Sequence, residues 1–188
     1  MISFSRAARA SDAFLSLSSL ACDGPLALAR SHVFHLDPDP QIGAILHNAG
    51  VGAARYNSIL YQSRFSEELP YFRPDLVVID FGTNDYLYED KMLPELESEI
   101  RKVIKKVKEA APDASIILTT VQDLYWKDRN CKAAIPFAEM ILRIAKETQC
   151  GVYDWFWISG GQTSLKKWFE AGLARKDLSL IHISEPTR

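Results

Sequence analysis

Only three cysteines occur in the chain, Cys22, Cys131 and Cys150, and none of them stands at metal-ligand spacing. They read as packing or surface residues, and no metal site is expected. No run of about 18 uncharged apolar residues exists, so no segment is expected to span a membrane. Like charges form no long block, and the net charge of −2 argues against a general nucleic-acid binder. Lys102, Lys105, Lys106 and Lys108 fall on one helix and read as a solvated face. There is no internal repeat and no low-complexity segment. Nor does the start read as a signal peptide. Arg6 and Arg9 precede the mildly apolar stretch Ala13 to Cys22, but Asp12, Ser16, Ser18 and Ser19 break it up.

What remains is ordinary for one globular domain: 188 residues, 47% hydrophobic and 24% charged. The most informative run is Leu76-Val-Val-Ile-Asp-Phe-Gly-Thr-Asn-Asp85. Leu76 to Phe81 reads as a strand buried on both faces, as in a parallel sheet under two helix layers. It breaks into the polar turn Gly82-Thr83-Asn84-Asp85 at the carboxyl end, where open α/β sheets place their chemistry. Other strands are expected at Ile42–Leu46, Ser115–Thr120 and Val152–Trp155. Helices are expected at Ala53–Leu69 (closed by Pro70), Met92–Ala110, Ala134–Gln149 and Ser164–Ala171. Leu93, Leu96, Ile100, Val103, Val107 and Ala110 recur at helical spacing, as do Phe137, Ala138, Ile141, Leu142 and Ala145. Strands alternating with helices of this length imply β-α-β units and a parallel sheet. Residues 1–40 show no clean period, and Asp37-Pro-Asp-Pro40 is a turn or loop.

Phe81-Gly82-Thr83-Asn84-Asp85 resembles the G-x-N-D block of the SGNH, or GDSL-like, hydrolases. These are serine esterases and acylhydrolases on a flavodoxin-like α/β/α sandwich. His47-Asn-Ala-Gly50-Val-Gly52-Ala-Ala54-Arg-Tyr-Asn57 resembles the family's glycine block, and Leu173-Ala-Arg-Lys-Asp177 the start of its D-x-x-H block. The three blocks come in the family's order and cover roughly residues 42–177. The resemblance implies a cofactor-free, ping-pong acyl-enzyme mechanism on a small ester or O-acylated carbohydrate. Asn84 would be the side-chain donor to the oxyanion. The Gly52–Ala53 region would supply a backbone donor, with Ala53 where the family has a second glycine. Asp177 would be the acid that orients the catalytic histidine.

Two residues of that chemistry have no counterpart. No Gly-Asp-Ser block occurs, so no nucleophilic serine is identified. The D-x-x-H histidine would fall at position 180, which is Leu180. Leu178 to Arg188 resembles a translated sequencing-library adapter, which deprives His182 of functional standing. The expectation is a fragment of a longer esterase. Residues 1–40 would hold the end of an inserted module, and the sheet would have an unpaired edge where the serine-block strand belongs. Oligomeric state is not legible.

Other readings stay open at this point. Asn84 could be a plain turn residue. Gly50 and Gly52 could make only a tight turn; a dinucleotide fingerprint is disfavoured by Arg55. Asp177 could be a surface acid. His47 reads as structural, and His32 and His35 carry no catalytic reading. Asp80 and Asp85 lack the further acids a metal or phosphoryl site would need. Tyr153, Trp155, Phe156 and Trp157 read as core or rim packing before a sugar-binding cleft. The rival functions are a non-catalytic carbohydrate-binding homologue on the same fold and a flavodoxin-like nucleotide or phosphate binder.

Overall fold

The structure, a computed structural model, describes residues 2–5, 13–17, 45–48, 53–87, 90–126 and 129–174. Asp177, His182, Gly50, Gly52 and the adapter-like tail lie outside them, as do most of residues 1–40.

Strands β1 (Ile2–Ser5), β2 (Ala13–Leu17), β3 (Ile45–Asn48), β4 (Leu76–Ile79), β5 (Ser115–Thr119) and β8 (Gly151–Tyr153) form one sheet in the order β2-β3-β1-β4-β5-β8. β6 (Tyr125–Trp126) and β7 (Arg129–Asn130) make a separate antiparallel ribbon. β4, β5 and β8 run parallel, with Val77 beside Ile116 and Leu118 beside Val152. β2 and β3 are also parallel to each other.

The sheet departs from expectation at β1. Ile2–Ser5 runs antiparallel between β3 and β4, pairing Ile2 with Ile79 and Ser5 with Leu76. The edge expected to stand unpaired beside the Leu76 run is therefore occupied. β1 and β2 also pair antiparallel. The link between them, residues 6–12, is too short for the parallel crossover of a dozen or more residues that a parallel pair needs.

Crossovers from β3 to β4, β4 to β5 and β5 to β8 advance in one direction across the sheet. Right-handed connections then put their helices on one face. These are α1 (Tyr56–Leu60), α2 (Phe65–Glu68), α4 (Leu96–Ala110) and α5 (Ala134–Thr148), with α4 packed against the other three. α4 buries Leu96, Ile100, Val103, Ile104, Val107 and Ala110. Leu93 lies before the helix and is exposed, and Leu142 points outward from α5 although the period had placed it inward.

The single helix expected over Ala53–Leu69 is instead broken after Leu60 and followed by a 3-10 turn at Leu69–Phe72. The break is held from α4. The Lys106 ammonium donates to the carbonyls of Ile59 (3.0 Å) and Gln62 (2.7 Å), where α1 ends. On the outer side, Glu97 of α4 accepts both guanidinium nitrogens of Arg143 on α5 at 2.8 Å, and also bonds Arg101.

Candidate active site at the carboxyl end of the sheet

β4 delivers the chain to Gly82, whose φ of 129° only glycine adopts without strain. A Cβ here would lie 2.3 Å from Phe137 Cζ and 2.7 Å from Val121 Cγ2. The missing side chain lets the backbone turn sharply against α5 and the end of β5. A one-turn helix, α3 (Thr83–Tyr86), follows at once, closed by the Asp85 N–H donating to the Gly82 carbonyl at 2.9 Å.

That turn aims two adjacent side chains at the loop between β3 and α1. The Asn84 Nδ2 donates to the Ala54 carbonyl at 3.1 Å. The Asp85 Oδ1 accepts from the Tyr56 N–H at 3.2 Å. Ala53, just before, holds φ 62° in the left-handed region and is exposed. Alanine tolerates that region at a cost of about 1–2 kcal/mol. The G-x-N-D turn and the glycine block, some thirty residues apart in sequence, are therefore in direct contact.

Tyr56 is fully buried, edge-on to Phe81 with ring centroids 5.4 Å apart. α1 has no acidic residue in its first turn. The Asp85 carboxylate supplies the negative charge there from another element, as the helix dipole favours. Asp85 is only 7% exposed, and its Oδ2 has no hydrogen-bond partner among the described residues. Burial pushes its carboxyl up to about 7, with Glu99 adding to the rise; the Tyr56 N–H and the Arg55 charge oppose it.

This shift has a consequence for stability. A carboxyl whose folded value lies above its ordinary 3.8 binds its proton more tightly in the folded state. Between those two values the folded chain holds more protons than the unfolded one, so stability falls as pH rises. The urea midpoint is expected to drop from pH 5 to pH 8, and Asp85→Asn to flatten that dependence. An unchanged slope in the variant would reject the assignment.

The neighbouring strand ends are tied in the same way. The Thr119 hydroxyl donates to Asp80 at 2.6 Å. The buried Thr120 hydroxyl donates to Asp154 (3.0 Å) and accepts from the Phe156 N–H (2.8 Å). Asp123, fully buried after β5, accepts from Asn130 Nδ2 on both oxygens (3.0 and 2.8 Å) and from the Leu165 N–H at 3.2 Å. It thereby holds the β6–β7 ribbon and the start of α7 (Ser164–Glu170). Burial raises its carboxyl, against those hydrogen bonds.

His47 packs edge-on to Phe72 at 5.1 Å, and burial lowers its imidazole. Phe156 is core, and the Trp155 Nε1 donates to Gln122 at 3.0 Å. Tyr153, stacked on Trp155, and Trp157 are about half exposed. Of the residues singled out in the sequence, Asn84 bonds to Ala54, the neighbour of Ala53, while Gly52 and Asp177 fall outside the described residues. The buried roles of Asp85 and Asp123 were not foreseen. The sole signal for Asp85 was an acid directly after the amide at the end of an apolar strand.

Residues 26–186 match the family model of the GDSL-like lipase/acylhydrolases. Among solved structures, the fold is similar to a peptidoglycan O-acetylesterase, with a TM-score of 0.64 and 18% identity over 75% of this chain and 45% of that one. It is also similar to an acetyl xylan esterase (TM-score 0.56, 16% identity, 72% of each chain). A third similar structure is a catalytic mutant of an acetylxylan esterase from Geobacillus stearothermophilus (0.55, 20%, covering 76% and 67%). The chain spans less than half the length of the first of these. No curated protein matches it in sequence. At these identities the structural likeness is one of fold. The chain belongs to the GDSL-like lipase/acylhydrolase family and carries the three-layer α/β/α fold of the SGNH hydrolases.

Proposed function

We propose that this domain supplies the oxyanion-binding part of a serine-type esterase that removes small O-acyl groups, acetyl groups on carbohydrate in particular. The observation that carries the reading is the Asn84 amide pinned to the Ala54 carbonyl. A side-chain amide nitrogen has two hydrogens. With one held by Ala54, the other has a set direction and can meet the negative oxygen that forms as an acyl carbonyl is attacked. A donor fixed before the reaction needs no reorganisation during it, which is why such donors are worth about 3 kcal/mol in the transition state. Backbone N–H groups of the Gly52–Ala53 region are the proposed second donor, and Asp177 the acid orienting the base. The acetyl-carbohydrate substrates named for the similar structures support the substrate class.

The serine and the base have no counterpart among residues 1–188, so this chain alone is expected not to turn over p-nitrophenyl acetate. The decisive experiment reads the source locus across both ends of the chain and assays the product it encodes on acetylated xylan. With a Gly-Asp-Ser serine and a D-x-x-H histidine present, acetate release is expected. Asn84→Ala should then lower kcat by about 10²–10³-fold with KM little changed. A fall of less than threefold would remove Asn84 from the reaction. The half-exposed rings of Tyr153 and Trp157 favour one second reading, a carbohydrate-binding homologue without catalysis. A locus that lacks both residues, with acetylated xylo-oligosaccharides bound but not cleaved, would select it.

A further inference from the structure

We infer that Asp85 is a positioning residue for the oxyanion-binding group: by gripping the first N–H of α1 it holds the Asn84 amide in register with the loop that carries the backbone donor. The inference rests on the role given to Asn84 above and extends it to a residue that touches no substrate.

The geometry is a two-point clasp. Asn84 donates to Ala54, and the next residue, Asp85, accepts from Tyr56, two positions further along the facing loop. One hydrogen bond would leave the two loops free to pivot about it. Two of opposite direction on adjacent residues remove that freedom, so the Ala54 carbonyl that holds the Asn84 amide cannot shift against the turn without breaking the Asp85 contact or moving α3. Both loops are also fixed behind the contact, one by Gly82 wedged against Phe137 and the other by Tyr56 against Phe81.

A plain turn aspartate would sit in water and bond its own backbone. Asp85 does neither. It is buried, and its bond spans twenty-nine residues to Tyr56. Among the described residues Oδ2 has no partner, so within them the carboxylate belongs to no wider network of the core. Burying a carboxyl is costly, and here the contact it makes is to the glycine-block side of the site. The groups facing it are the Tyr56 and Tyr86 phenols, Arg55 of the same loop and Glu99 of α4. Its raised protonation point makes the clasp readable near neutral pH.

The test is nitrogen-15 NMR of the chain itself, which needs no catalytic turnover. In the wild type, the Tyr56 amide and both Asn84 side-chain amide protons are expected to titrate together, with one midpoint near 7. In Asp85→Asn that titration disappears from both. In Asp85→Ala, exchange of the Tyr56 amide with water should speed up about five- to tenfold, as for loss of one hydrogen bond. The Asn84 pair should shift toward the free-amide position. An Asn84 pair that ignores both pH and Asp85→Ala, while Tyr56 responds, would overturn the inference and leave Asp85 as a helix cap alone. Should the alanine variant fail to fold, the wild-type titration decides by itself: separate midpoints for Tyr56 and Asn84 reject the clasp. If the coupling holds but Asn84→Ala spares ester hydrolysis, the clasp stands and the proposed role of Asn84 falls.

Discussion

Gly82→Ala is expected to cost about 2–5 kcal/mol of folding stability, the sum of a strained φ and a forced overlap. The two costs are independent. At φ 129° any side chain collides with its own backbone, wherever its neighbours lie. The new methyl would also enter the space of the Phe137 ring, which is fully buried on α5, and of Val121 at the end of β5. Close-packed interiors do not yield by the required ångström without moving an element. The relief available is to push the 82–85 turn outward, and that pulls Asn84 off Ala54 and Asp85 off Tyr56. Urea unfolding checks the energy, and the amide signals of residues 54–56 check the displacement. A loss below about 1 kcal/mol would show that the turn can relax, contrary to this account.

Asp123→Ala is expected to cost about 2–4 kcal/mol, because it strands the buried Leu165 N–H and removes both bonds to the part-buried Asn130 amide. Three separate pieces of chain converge on this carboxylate: its own loop after β5, Asn130 on β7 and the first turn of α7. Thr163, the residue before α7, has φ 74°, and the helix has no side-chain cap of its own. The buried acid stands in for that cap, where the helix dipole favours negative charge. Asp123→Asn keeps an acceptor and should cost less than half as much. Hydrogen exchange will localise the effect. Amides at the start of α7 and in the β6–β7 ribbon are expected to lose protection in the alanine variant, with α4 unchanged. Uniform loss across the sheet would mean that Asp123 supports the whole core rather than these two attachments. Because α7 precedes the Leu173–Asp177 segment, the same variant probes how firmly that segment is tethered.

The parts legible in the sequence were those governed by local pattern. β4, α4, β5 and α5 declared themselves because a buried strand needs a continuous apolar run and a helix on a sheet needs an apolar stripe. Each lies within four residues of where the period placed it, and β5 and α5 within one. The G-x-N-D turn was legible because glycine, asparagine and aspartate after an apolar strand have few local alternatives. Leu93 and Leu142 matched the period yet stand exposed, because periodicity gives a stripe's direction but not its limits. Only the tertiary structure decided the direction of β1, which depends on a partner more than seventy residues away and on the short link to β2. It also decided the break after Leu60, held by a lysine on another helix. And it gave Asp85 and Asp123 their roles. An aspartate's one-letter neighbourhood does not say whether its carboxylate meets water or a distant N–H; that is set by where the sheet brings the two loops together.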